Sequence, residues 1–479
     1  MSRSGSLTGR GSSFVARNMG GCWGEIGRGA RIMIKLLEKD VVAAWQSQVQ
    51  NGTVLTTEQG EPVEIVYPGR HNDGWGADFQ DAVIATGGRL KKGDIEVHVR
   101  SSDWKLHRHH LDPAYNRVVL HVVWHDDEIT TSLCDGSTVP VLALNANKLA
   151  LVEGRSTALH PPAPPTPCAG GISGKTAEVL ADFLDQAGDE RFLAKATGFQ
   201  TDLMQISASQ SLYRGMMGAL GYSRNKGPFL ELAERLPLAT LEAVASEATS
   251  DEECLVQLQV RLLGTAGLLP AQRGSTYRQD IPAHRYVKSI ERLWSLYCDG
   301  REMSSNVWHL SCTRPYNSPL RRLVAMSYLV TRYRNEGLMS GLCSNCAGFF
   351  VSCRDWHRLE EGLIVTADGY WACHFDFGVD NQTASPTILG KGRASDIIVN
   401  VLLPFTYAWS KSDGRPELAI AVRDIYRQYP KLSDNALVRH MMSQLGIGRR
   451  IVNSARRQQG LLHIYQTLCT QGCCDRCCL

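Results

Sequence analysis

Apolar positions in this chain follow two different periods, and the change between them organises it. From Met33, the spacing of Ile34, Leu37, Val41, Ala44 and Trp45 predicts one helix face. Three β-patterned runs follow. They are residues 63–67, closed by Pro68-Gly69; residues 79–85, closed by Gly87-Gly88; and residues 94–100. Ser101 and Ser102 are placed to cap a helix through about His110, with Asp103 in its first turn, and Asp112-Pro113 stops it. Residues 118–124 read as a fourth strand and 139–144 as a fifth. The predicted order is helix, three strands, helix, strand, within an α/β domain of residues 33–160.

Residues 161–167 read PPAPPTP, which makes 161–173 a stiff Pro/Gly-rich linker. Beyond it the period is helical: Leu180, Phe183 and Leu184; Leu212, Met216 and Leu220; Leu255, Leu258 and Leu262. A helical domain is expected over 174–342. A C-terminal helical region is expected over 343–479, with a short strand at 370–377, helices at 395–409, 418–429, 433–445 and 452–468, and a cysteine-rich tail. Residues 1–32 are rich in Gly, Ser and Arg without periodicity, so they are expected to form a disordered extension. Met33 is the expected natural start.

Composition changes this picture little. With 43% hydrophobic and 21% charged residues, the chain is an ordinary soluble one with sizeable cores. A formal net charge of +3 does not argue for nucleic acid, so any basic surface has to be local. No run approaches the roughly 18 apolar residues of a membrane helix, so no membrane partner is expected. The N-terminus has no apolar segment of a secretory signal. The 15 cysteines are mostly dispersed, which points to a reduced, cytoplasmic compartment with any clusters kept for metal or redox work.

The candidate chemistry sits on the third strand. Period-2 alternation sends Ile95, Val97 and Val99 one way and Asp94, Glu96, His98 and Arg100 the other. Glu96 and His98 therefore share a polar face. Asp78 opens the preceding strand, and if the two strands pair, Asp78 and Glu96 converge. Two carboxylates at a sheet edge are what an oxygen-ligated divalent ion requires; Mg or Mn is expected there. The next segment adds Asp103, His107, His109, His110 and Asp112, of which His107, His109 and Asp112 are secondary candidates. His121 lies mid-strand between Val119 and Val123, where a hydrogen-bonded core role competes with a ligand role.

The strand order and the Asp78…Glu96-x-His98 spacing resemble the PD-(D/E)XK nuclease core over residues 35–145. The resemblance implies an N-terminal α-β-β-β-α-β restriction-endonuclease-like domain; with the helical periods and tail beyond it, the expected class is α+β, that domain followed by a mainly α-helical domain and a Cys-rich C-terminal end. It implies metal binding by Asp78 and Glu96 and phosphodiester hydrolysis on nucleic acid. The chain departs from that pattern at Ala77-Asp78, where the family has Pro-Asp, and at His98, where it has lysine; an imidazole can orient or deprotonate water but supplies no fixed ammonium. The stretches GRHNDGWGADFQDAVI, GDIEVHVRSSDWKLHRHHLDPAYNRVVLHVV, GALGYSRNKGPF and LGKGRASDIIVNVLLPF also resemble a bacterial domain-of-unknown-function 2851 family, from Met33 onward. That resemblance carries no activity.

Other motifs are weaker. AGGISGKT (169–176) loosely fits a P-loop, but PPAPPTPC before it is not the buried strand a phosphate cradle needs. Arg224, Lys226, Lys391 and Arg393 are candidate contacts to a nucleic-acid backbone. Cys343-x-x-Cys346 is half a zinc pattern. In the tail, Cys469, Cys474 and Cys477, with Cys473 or His463 as a fourth, suggest zinc or an iron–sulfur cluster that pins the last helix. The leading expectation is a metal-dependent nuclease-like hydrolase. The alternatives are a non-catalytic binding or scaffold protein with a structural C-terminal metal, and a zinc hydrolase of a small substrate.

Overall fold

A computed structural model describes residues 36–49, 53–72, 74, 76–127, 130–144, 168, 175–274, 285–297, 300–310, 317–351, 356–380 and 386–477. The expected extension over 1–32, and the expected linker except Cys168, lie outside the described residues. The fold is mixed α+β, with a sheet-containing N-terminal part followed by a mainly helical part. The chain divides into two compact units: residues up to Gly170 together with Gln466–Cys478, and Gly171–Tyr465.

The first unit opens with α1 (Glu38–Gln48), then β1 (Thr53–Thr56), β2 (Pro62–Tyr67), β3 (Arg70–His71), β4 (Phe79–Thr86) and β5 (Arg89–Arg100). After α2 (Asp103–Leu106) come β6 (Val118–His125), β7 (Thr131–Ser132), β8 (Thr138–Val139) and β9 (Val141–Ala143). The main sheet has the order β1-β2-β4-β5-β6-β9, with β3 beside β4. Pairing is antiparallel from β1 to β5 and parallel from β5 through β6 to β9.

Local chemistry explains the register. Gly87 and Gly88 both take positive φ (56° and 73°), as a tight two-residue hairpin requires. β5 therefore begins at once with Arg89 paired to Thr86, earlier than the apolar alternation shows. At the centre of β5, a Cβ on Gly93 would stand 2.2 Å from the Arg117 carbonyl oxygen, so only glycine admits the close approach of the segment leading into β6. Val41 and Trp45 of α1 share one core with Val63, Ile84, Val97, Leu120 and Val122 of the sheet. These side chains are wholly buried, and each contributes about 1.5–3 kcal/mol relative to exposure.

Three expectations need correction in this unit. The helix expected over 101–110 is only the single turn α2; Arg108 adopts a left-handed conformation (φ 63°), and 3-10 turns at His109–Leu111 and Pro113–Tyr115 follow. Ser101 does not cap it, because its buried hydroxyl donates to Asp126 Oδ1 at 2.6 Å. The strand expected over 139–144 is divided by Pro140, which has no N–H for the ladder; β8 pairs with β7, and β9 with β6. The tail belongs to this unit: Lys92 Nζ hydrogen-bonds Gln471 Oε1, and a Cβ on Gly472 (φ 70°) would lie 3.1 Å from Val66 and Val83.

The second unit is helical around one core, which includes Leu212, Leu258, Leu323, Leu342 and Phe405. Its long helix Ala177–Leu203 is capped by Thr176, which accepts from the Val179 N–H. This helix meets Ala455–Thr467 at glycines: a Cβ on Gly188 would stand 2.2 Å from the Arg456 carbonyl oxygen, and one on Gly460 2.2 Å from that of Leu184. Contrary to expectation, the stretch Asp251–Gln272 is long and apolar enough to cross a membrane, but it is mostly buried and supplies Leu258, Leu262 and Leu263 to the core. The strand expected over 370–377 is a helical turn, Gly369–Ala372, followed by the strand His374–Asp376.

Candidate metal centre

Asp78 and Glu96 meet as the strand pattern predicts. The Asp78 N–H donates to Glu96 Oε2 and the Val97 N–H donates to Asp78 Oδ2, both at 3.0 Å. These bonds tie the start of β4 to the middle of β5. Glu96 is 5% exposed and Asp78 half-buried. Burial raises both carboxyls above their ordinary range, and acidic neighbours add to it: Glu96 beside Asp78, and Glu38 and Asp94 beside Glu96. Among the described residues no lysine or arginine pairs with either.

His98 lies on the same face, sealed from solvent (0% exposed). Its Nε2 stands 3.6 Å from Glu96 Oε1, 3.5 Å from Glu38 Oε1 and 3.1 Å from His107 Nδ1. His109 Nε2 is 3.3 Å from Glu96 Oε1. Glu38, at the start of α1, is the member of the cluster that sequence reasoning missed; an acid in a first helical turn has an ordinary role against the helix dipole. Trp104, fully buried and donating to the Ser132 carbonyl at 2.9 Å, anchors α2. The left-handed Arg108 after it turns the chain so that His107 and His109 both reach the cluster. The Tyr115 ring lies 3.8 Å from that of His109 and holds it.

Behind His98 runs a buried relay: His98 Nδ1 to His121 Nε2 at 2.8 Å, then His121 Nδ1 to Thr131 Oγ1 at 2.7 Å. Burial holds His98 and His121 well below the usual imidazole range, so both are neutral. One of the two tautomer sets these distances allow has His98 Nδ1–H donating to His121 and His121 Nδ1–H donating to Thr131. It leaves the His98 Nε2 lone pair aimed at Glu96, Glu38 and His107.

The donor set fits a divalent cation. Two carboxylates, one buried and one half-buried, have no lysine or arginine partner among the described residues. His98, His107 and His109 place ligand atoms within 4.8 Å of one another, the one such group of three among the described residues. Imidazoles beside carboxylates suit Mn or Zn better than Mg, which prefers an all-oxygen shell. The sealed position of His98 suits a ligand better than a solvent-facing base.

Other candidates fall elsewhere. Asp112 caps the turn Pro113–Tyr115 by accepting from the Ala114 N–H at 2.9 Å. Asp94, on the polar face of the same strand, is 6% exposed and accepts from the Asp81 N–H at the β4 bulge. In the tail, Cys469 is buried, Cys477 half-buried and Cys474 exposed; they form no group of three ligand atoms among the described residues, and Cys478 lies outside those residues. Cys343 and Cys346 are core residues whose thiols burial pushes up, Cys343 to about 11, which opposes the thiolate that zinc needs. In the helical unit, Lys391 pairs with Glu360 at 3.0 Å, Arg224 is exposed, and Lys226 and Arg393 line one cleft.

Fold and site together define a mixed α+β protein with a carboxylate–histidine cluster on its sheet. The chain belongs to the family described as protein of unknown function DUF2851, whose sequence model matches residues 38–435. Neither a curated protein nor a solved structure matches it.

Proposed function

We propose that the N-terminal unit is a metal-dependent phosphodiester hydrolase of the restriction-endonuclease-like class, acting on nucleic acid. The observation that carries the reading is the gathering of Asp78, Glu96, His98, His109 and Glu38 from two strands, a turn and a helix into one cluster. The order α1, β2, β4, β5, the single turn α2 and β6 supports the reading, because it resembles the α-β-β-β-α-β order of the PD-(D/E)XK core. Lys105 and Arg108, both exposed in the turn that carries His107 and His109, offer contacts to a phosphate backbone.

Glu96, His98 and His109 would hold the cation, with Asp78 or His107 completing the set. Bound there, a divalent ion polarises a phosphoryl oxygen and makes a water more acidic. His121 and Thr131 fix the His98 ring. Glu38, with 45% of its side chain exposed, faces solvent beside the cluster and is placed to accept a proton from water; burial raises its carboxyl too.

Purified full-length protein with Mn should cut DNA or RNA, and Asp78→Asn and Glu96→Gln should each abolish cutting with the fold intact. Variants as active as wild type would refute the reading. The three imidazoles also favour a second reading, a zinc hydrolase of a small substrate; it predicts bound zinc and no nucleic-acid cleavage.

A further inference from the structure

We propose that the helical unit carries a separate binding site for a small molecule bearing two or more phosphates, in the cleft lined by Lys195, Lys226, Arg191, Arg214 and Arg393. The cleft has a volume of about 720 Å³, within the size range of small-molecule sites. Its lining holds five basic side chains and two acidic ones, Asp202 and Asp396.

The ion pairs at the cleft engage its arginines and leave its two lysines without a carboxylate. Arg214 stands 3.5 Å from both Asp202 and Glu234, and Arg393 Nη1 3.5 Å from Asp396. Arg191 Nε donates to Gln459 Oε1 at 2.8 Å. No carboxylate among the described residues lies within ion-pair distance of Lys195 or Lys226. Burial, with Arg191 and Lys226 close by, pushes the Lys195 ammonium down to about 7. A phosphate group would give Lys195 and Lys226 charge-assisted hydrogen bonds.

The backbone is also unusual here. Tyr222 holds a left-handed conformation (φ 54°) and receives the Arg393 guanidinium 3.3 Å from its ring centroid, which fixes that cation in place. Asn400 and Val401, which also line the cleft, come from the π-helical segment Ile398–Leu402. Backbone outliers and π-segments concentrate at functional sites. The five cations line a single cleft, which favours a compact anion over an extended nucleic-acid backbone. The site lies wholly in the helical unit, and the inference does not rest on the hydrolase reading.

The test is calorimetric titration of the full chain with inorganic pyrophosphate in EDTA, which silences the metal centre. Saturable binding is expected, weakened about tenfold or more by Lys195→Gln and by Lys226→Gln and unchanged by Lys391→Gln. Lys226 is exposed, so its variant keeps the test valid if Lys195→Gln does not fold. Absence of saturable binding, or equal affinity in Lys226→Gln, would overturn the proposal. So would a single-stranded oligonucleotide that binds and is weakened by these variants when pyrophosphate is not bound.

Discussion

Replacing Glu96 with glutamine should stabilise the protein in chelator at high pH and should abolish its stabilisation by metal. In metal-free protein, burial and then the acidic neighbours Glu38 and Asp94 push the Glu96 carboxyl from 4.5 to about 8. Between these values the folded state keeps a proton that the unfolded chain has released. The stability contributed by the protonated form is therefore complete below about pH 4.5 and is lost as pH rises through about 8. At about 1.4 kcal/mol per unit, the ionised carboxylate costs on the order of 3–5 kcal/mol near pH 9. Glutamine keeps an acceptor for the Asp78 N–H and carries no charge. Urea denaturation in EDTA should show the variant more stable than wild type by that order near pH 9, and nearly equal to it near pH 5. With Mn at about 100 times its Kd, wild type should gain about 2.7 kcal/mol and the variant almost nothing. A variant less stable than wild type in EDTA at both pH values would refute the reasoning.

Other substitutions probe the rest of the account. His121→Phe should weaken Mn binding about 10–100-fold by freeing the His98 ring, seen as a higher Mn concentration at half-saturation; an unchanged value would remove the relay from the account. Gly188→Ala should cost about 3 kcal/mol, because its Cβ meets the Arg456 carbonyl at 2.2 Å; an unchanged melting temperature would show that the two helices part without cost. For Asp189, burial pushes the carboxyl up, but hydrogen bonds from Arg427 and Arg456 outweigh it and hold it below 3.8. That stability is present above about pH 3.8 and is lost as pH falls through the lower folded value, so Asp189→Asn should flatten the acid limb of a pH–stability curve.

Alternation along 94–100 places Glu96 and His98 on one face, and the Gly87-Gly88 turn puts Asp78 within reach; these are short-range rules with a fixed period. The cluster's other members come from contacts that no period encodes. Glu38 lies 58 positions before Glu96 and reads as an ordinary first-turn acid. His107 and His109 reach the site only because Arg108 breaks the helix that Ser101-Ser102 and Asp103 suggest, and nothing in RHH announces a left-handed arginine. Pro140, by contrast, is a legible interruption of the last strand. The return of Gln471 to Lys92 is a tertiary pairing between distant parts of the chain, beyond the reach of local patterning.

The most direct measurement is anomalous diffraction from crystals of the full chain grown with Mn. A peak within bonding distance of Glu96 Oε1, His98 Nε2 and His109 Nε2 is the predicted result. An empty cluster, with anomalous density only at the tail cysteines, would contradict the account.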